Sequence, residues 1–240
     1  MSATPKPLTA RERARIEFTR DIKEAARRQL AEHGPDGLSL RGVARDIGLV
    51  SASALYRYFP GRDALLTALI TDSYDSLGDA ADAAVAAAAG RDPGERWLAL
   101  CHAVRDWAVA RPHEYALIYG SPVPGYAAPA DTTGPGTRLP FLIGGLFATA
   151  AAAGGWRPGP APAAPEDARQ ALQPLLARLP GEAPADLVVA GLSAWTYLCG
   201  AVSFEVFGHR SAIVAEPRAY FDHEIRRIGT LLGILPAPAA

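Results

Sequence analysis

Cysteine is scarce: the 240 residues hold two, Cys101 and Cys199. They stand far apart and in no CxxC spacing, which argues against a disulfide framework and a cysteine zinc site. No secretory leader is expected, because MSATPKPLTARERAR has charge and proline where such a signal has its apolar core. No membrane span is expected, since a span needs about 18 or more consecutive apolar residues. The expectation is a cytoplasmic chain with no membrane partner. A catalytic constellation is lacking too. His102 and His113 sit beside Cys101 and Glu114, but sequence neighbours on a helix point apart. No enzyme, no metal site and no cofactor is therefore expected.

What is present is a globular composition, 49% hydrophobic, punctuated by 23 glycines and 21 prolines. A chain of this length fits one or two domains and buries about 70% or more of its extended surface. The net charge of −1 hides an asymmetry. Residues 1–62 carry 12 Lys or Arg against 7 Asp or Glu, a balance of +5, and the remainder carries −6. A basic end on an otherwise acidic chain is the electrostatic footprint of nucleic-acid binding.

Within that basic end, Leu38 to Leu66 reads LSLRGVARDIGLVSASALYRYFPGRDALL. Leu40, Val43, Ala44 and Ile47 recur at helical spacing behind an N-cap serine, Ser39, with Leu38 and Val43 placed as a hydrophobic staple. Gly48 can leave the helix with positive φ, and Ser51 offers the next N-cap. A second helix is expected from about Ala52 to Phe59, with Leu55 and Phe59 inward and Ser53, Tyr56 and Arg57 outward. So short a helix is marginal alone and must be held by packing. That suits a recognition helix whose small residues Ala52, Ser53 and Ala54 allow close approach to base edges. Ser51, Ser53, Tyr56, Arg57 and Tyr58 are candidate DNA contacts, Tyr56 being either a phosphate contact or a core-edge aromatic. Arg41 can reach a guanine edge or a phosphate.

LSLRGVARDIG followed by ALYRYFPGRDALL resembles the DNA-binding domain of the TetR family of bacterial transcriptional regulators, over roughly residues 13–74. The segment from Gly48 to Tyr56 is one residue longer than the family pattern. The resemblance implies an all-α protein, with an N-terminal three-helix helix-turn-helix domain joined to a C-terminal helical bundle for ligand binding and dimerisation. It also implies a base contact for Arg41 and phosphate or base contacts for Tyr58 and Arg62. The corresponding division is an N-terminal disordered arm, 1–8, a DNA-binding domain, 9–62, and a ligand-binding and dimerisation domain, 63–235.

Around this motif the pattern is helical throughout. Thr9 to Glu12 is a capping box opening a helix to about His33, with Ile16, Ile22, Ala26 and Leu30 inward. A long helix is expected from Arg62 to about Ala89, fraying past Leu77 where GDAADAAVAAAAG offers little to a core. Further helices are expected at Pro93 to Ala110, Pro112 to Tyr119, Thr137 to Ala153, Glu166 to Leu179, Pro184 to Gly208 and Pro217 to Leu235. Two Pro- and Gly-rich loops, Gly120 to Gly136 and Gly154 to Pro165, interrupt them, the first long enough to act as a lid.

WAVARPHEYALIYGSPVPGY and SAWTYLCGAVSFEVFG resemble the ligand and dimer domain of a TetR subgroup named for a Trp, His, Gly signature. Trp195 and Gly200 fit it, whereas Cys199 stands in the histidine's place. Trp107, Tyr115, Tyr119, Phe141, Phe147 and Trp195 are candidates to line an apolar pocket between helices. Glu205, an acid amid AVSFEVF, must be exposed, paired or protonated, and is either an ion-pair member at a dimer interface or a polar ligand anchor. The reading is a repressor that binds a palindromic double-stranded operator as a homodimer, through its last two helices, and leaves it on binding a small apolar or aromatic inducer. The alternative is an architectural or non-specific DNA-binding protein without ligand.

Overall fold

The computed structural model describes residues 8–129, 132–159, 163–177 and 184–236, and all regular elements among them are helical. The expected arm at 1–8 lies almost wholly outside the described residues. The helices are α1 (Ala10–Gly37), α2 (Leu40–Asp46), a 3₁₀ helix (Ala52–Arg57), α3 (Arg62–Ala87), α4 (Pro93–Ala110), α5 (Pro112–Tyr119), α6 (Thr133–Ala152), α7 (Glu166–Ala171), α8 (Gln173–Leu176), α9 (Ala185–Val206) and α10 (Pro217–Leu231).

Two compact units form, residues 1–73 with 113–132, and residues 74–112 with 133–240. The division therefore falls within α3, at Ser73, rather than at its start, and His113–Thr132 joins the N-terminal unit.

In the N-terminal unit, Thr9 and Glu12 close the capping box at the head of α1. α1 runs unbroken to Gly34, which takes φ 69° and ψ −178° and kinks it, as the expected end near His33 requires. Its buried face is Ile22, Ala25, Ala26, Gln29 and Leu30. Ile16 was expected inside but is 56% exposed, because the buried stripe of α1 begins only at Ile22. Leu38, just before α2, and Leu40, Val43 and Ala44 of α2 complete the small core with Leu55, Phe59, Leu65, Leu66 and Leu69. α1 is tied to α3 by Asp72, which accepts from Lys23 and Arg27, each at 2.8 Å.

The C-terminal unit is a bundle in which α9 packs against α6, α4 and α10. Its core includes Trp97, Leu100, Cys101 and Val104 of α4, Phe147 of α6, Leu198 of α9 and Phe221 of α10. The indole of Trp97 donates to the Ile225 carbonyl at 3.1 Å and meets the Phe147 ring edge-on at 6.3 Å. α6 and α9 approach closely where Gly144 and Gly191 face each other.

Four expectations change. The far end of α3 does not fray, since Ala81, Val85 and Ala88 are all buried and small side chains suffice where helices pack tightly. α6 starts four residues early, at Thr133, because the first-turn N–H groups have no intrahelical partner and Pro135 there forfeits nothing. The helix expected from Glu166 to Leu179 is two short pieces, broken at Leu172 before Pro174, and its last two residues lie outside the described residues. α9 is long and apolar enough to cross a membrane, contrary to expectation. Its buried residues, from Leu187 to Val202, pack within the bundle, as in a core helix.

Candidate functional site

Ser39 caps α2 by accepting from the Gly42 amide at 3.1 Å, and Gly48 leaves the helix at φ 77°. Ser51 then accepts from the Ser53 amide at 3.4 Å, which fixes the register of the longer turn with Ala52 as the first residue of the second helix. That element is a 3₁₀ helix ending at Arg57, two residues short of the expectation and more tightly wound. With only six residues it does not recover the cost of α-nucleation, and tighter turns of this length are ordinary in short pieces. Leu55, fully buried, and Phe59 anchor it from below. Its outward residues are Ser53, Tyr56 and Arg57, with Tyr56 51% exposed. That exposure favours an outward role for Tyr56 over a place at the core edge.

Tyr58 differs from its neighbours. Its ring sits edge-on to Phe18 at 5.1 Å, with the Arg15 guanidinium 5.6 Å from its centroid, so it braces α1 as well as bordering the surface. Arg41 is exposed on α2 and has no hydrogen bond or ion pair among the described residues. Arg62 is engaged within the chain: Nη2 donates to the Pro35 carbonyl at 2.9 Å, with Asp63 at 3.4 Å and Asp36 at 3.9 Å. It holds the kinked end of α1 against the start of α3, a structural duty that its position in the motif did not announce.

Gln29 is the residue that sequence reasoning missed. Its amide donates to Asp46 at 2.7 Å and its oxygen accepts from the Ser39 amide at 3.3 Å, so one buried side chain holds α2 at both ends. A Cβ on Gly42 would collide with that amide. A buried glutamine on an otherwise apolar stripe was the available signal.

The candidate ligand residues scatter. Tyr115, fully buried, and Tyr119 belong to the N-terminal unit, their rings 5.2 Å apart. Phe141 is 41% exposed, a correction to its place in a pocket: the buried stripe of α6 runs through Leu139, Ile143, Leu146, Phe147 and Ala150, and Phe141 falls off it. Trp107 and Phe147 are packed in the C-terminal core, and the Trp107 indole donates to Ser76 at 2.9 Å. The Trp195 indole nitrogen is buried with no acceptor among the described residues.

Glu205 resolves into an intrachain pair. Arg105 Nε donates to it at 2.9 Å and Nη2 donates to its other carboxylate oxygen, while Arg105 also meets Asp106 at 3.0 Å. Beside it, at the junction of α9 and α10, is a cavity of about 80 Å³ bordered by Arg210, Val214, Tyr220 and Phe221. Pockets for drug-sized ligands are several times larger. On α6, Arg138 lies across Gly78 and grips Asp79 at 2.7 Å and Asp82 at 2.9 Å.

Comparison with known proteins agrees with this arrangement. Residues 22–69 match the family described as bacterial regulatory proteins, tetR family, and residues 97–228 match the tetracyclin repressor-like C-terminal domain. The chain is 40% identical over 228 residues to the HTH-type transcriptional regulator Rv1816 of Mycobacterium tuberculosis, covering 91% of this chain and 94% of the relative. The same values hold for the HTH-type transcriptional regulator Mb1846 of Mycobacterium bovis. Among solved structures, SCO4313, assigned as a regulatory protein, superposes with a TM-score of 0.76 at 34% identity, over 92% of this chain and 98% of that one. Its relatives are regulators and not enzymes. A short helix held outward within the basic stretch 1–62, together with these matches over nearly the whole length, places the chain in the TetR family of DNA-binding transcriptional regulators.

Proposed function

We propose that the protein is a cytoplasmic repressor that binds a palindromic operator as a homodimer and releases it when a small apolar or aromatic molecule enters the C-terminal domain. The observation that carries this reading is the 3₁₀ helix Ala52–Arg57, anchored by Leu55 and Phe59, with Ser53, Tyr56 and Arg57 turned outward, and with Arg41 exposed on α2 and unpaired among the described residues. One such element reads too few base pairs, so two must sit about 34 Å apart along the duplex, which requires a dimer. The last two helices suit that role, since Phe204, Phe207, Tyr220 and Leu231 are 38% to 50% exposed on α9 and α10 or directly after α9. Functionally, residues 9–62 read DNA and 63–235 serve ligand and partner.

For the ligand, Trp195 is the best-supported contact, because its buried indole N–H has no acceptor among the described residues and a bound acceptor would satisfy it. Trp195 and Gly200 also support membership of the Trp, His, Gly subgroup, with Cys199 as a departure. Phe147 and Trp107 back the helices around it. Release requires the ligand to favour a state with altered head spacing, and a coupling of about 1 to 3 kcal/mol gives a 5- to 150-fold loss of operator affinity.

The test is selection of duplexes from a random pool, followed by titration of the selected site. A palindromic consensus should emerge, and Arg41→Ala should weaken binding by about 1 to 3 kcal/mol and relax preference at one base pair of each half-site. Equal affinity for the selected site and random DNA would favour the non-specific alternative.

A further inference from the structure

Many cations among the described residues are answered by carboxylates: Lys23 and Arg27 share Asp72, Arg105 grips Glu205, and Arg138 grips Asp79 and Asp82. Arg11, Arg15 and Arg57 are not. All three line one open cleft of about 550 Å³ on the N-terminal unit, walled also by Phe18, Ala54 and Tyr58. Among the described residues no carboxylate lies within ion-pair distance of any of them. Gathering like charges without counter-charges opposes folding, unless an anion occupies the site in the working state.

The cleft is also held in shape. Phe18 packs against the Tyr58 ring, and the Arg15 guanidinium rests over that ring at 5.6 Å, which keeps the planar fork in place without occupying its donors. Ala54 and Arg57 belong to the reading helix itself, so whatever fills the cleft sits beside the bases that Ser53 and Tyr56 face. Planar guanidiniums suit phosphate oxygens, and small Ala54 and Ala14 leave room for a backbone to pass.

We propose that Arg11, Arg15 and Arg57 clamp the DNA phosphates next to the base pairs read by Ala52–Arg57. The first helix is then part of the DNA grip and not only a support for the helix-turn-helix. This inference rests on the DNA-binding reading above. Arg11 and Arg15 supply backbone contacts that fix register and carry no sequence preference.

The experiment is fluorescence polarisation of the duplex selected by the wild-type protein, measured from about 50 to 200 mM salt. Each phosphate contact contributes about 0.9 to the slope of log affinity against log salt, so Arg11→Ala with Arg15→Ala should lower it by about 1.8 for each protomer bound. Its affinity deficit should accordingly shrink about tenfold per protomer across that range. Base preference in a repeated selection should not change. Lysine at both positions, which keeps the charge, should restore the slope; it also carries the comparison if the alanine variant melts below the wild type. Arg91→Ala, an exposed arginine outside the N-terminal unit, is the control and should leave the slope unaltered.

A double variant with the wild-type slope would overturn the clamp, as would an equal drop in Arg91→Ala. Calorimetric binding of inorganic phosphate to the free protein, abolished in the double variant, would also overturn it by assigning the cleft to a free anion. If the wild-type protein selects no duplex at all, the DNA-binding reading itself fails, an outcome distinct from failure of the cleft alone.

Discussion

Arg105→Ala should destabilise the C-terminal unit more than Glu205→Ala does, although the two side chains form one pair. Arg105 is 8% exposed and Glu205 17%, and two charge-assisted bonds join them. Removing one partner of a buried pair costs about 3 to 5 kcal/mol, because a charge is left without compensation. Arg105→Ala leaves the Glu205 carboxylate in that state and also strips the guanidinium from the Phe221 ring, which it overlies at 5.7 Å. The small adjoining cavity gives water some access, so the cost should fall at the low end, about 3 kcal/mol. Glu205→Ala leaves Arg105 still bonded to Asp106 at 3.0 Å, so the loss should be nearer that of charged hydrogen bonds, about 1.5 to 2 kcal/mol. The double replacement Arg105→Met with Glu205→Leu should fall within about 1 kcal/mol of the wild type. Urea unfolding followed by circular dichroism, at one fixed protomer concentration and with unchanged m-values, measures all three. A Glu205→Ala loss equal to or above that of Arg105→Ala would refute the reasoning, and so would two single losses below about 1 kcal/mol.

Gly42→Ala should cost about 1 to 3 kcal/mol, since the new methyl displaces the Gln29 amide from Asp46 and leaves buried polar groups unpaired; an unshifted melting temperature would show that Gln29 is not a clamp. Burial, followed by the bond that its hydroxyl donates to Glu224, pushes the Tyr197 phenol up to about 12 from 10.0. The fold thus favours the protonated phenol: its contribution is complete below pH 10 and is lost as pH rises from 10 to about 12. Tyr197→Phe should flatten the stability profile in that window, and a variant that loses stability there as steeply as the wild type would assign the effect elsewhere. Phe204→Glu, at a site 50% exposed within the chain, should give folded monomers in light scattering, and an unchanged dimer mass would move the interface off the end of α9.

The helices themselves were legible in the sequence because their signals are local. Thr9 with Glu12, Ser39, Ser51, the positive-φ Gly48 and Pro93 act within one turn of where they stand, and each does in the structure what its chemistry dictates. Trp97, Leu100, Cys101, Val104, Trp107 and Ala108 are all buried on α4, as their spacing requires. So too was the outward placement of Ser53, Tyr56 and Arg57, since Leu55 and Phe59 could only anchor that helix from one side.

What pairs with what needed the tertiary structure. Glu205 finds Arg105 a hundred residues away, Arg62 turns back to Pro35, and Gln29 reaches both ends of α2, and no periodicity carries the identity of a distant partner. Helical phase was also beyond local reading where neighbours decide it: Ile16 and Phe141 are apolar yet face outward, because the elements packed on α1 and α6 cover other stripes. For the same reason the chain could show that Arg11, Arg15 and Arg57 are basic, but not that they share one cleft. That follows only when α1 and the reading helix, some forty residues apart in sequence, are brought side by side by the small core beneath them.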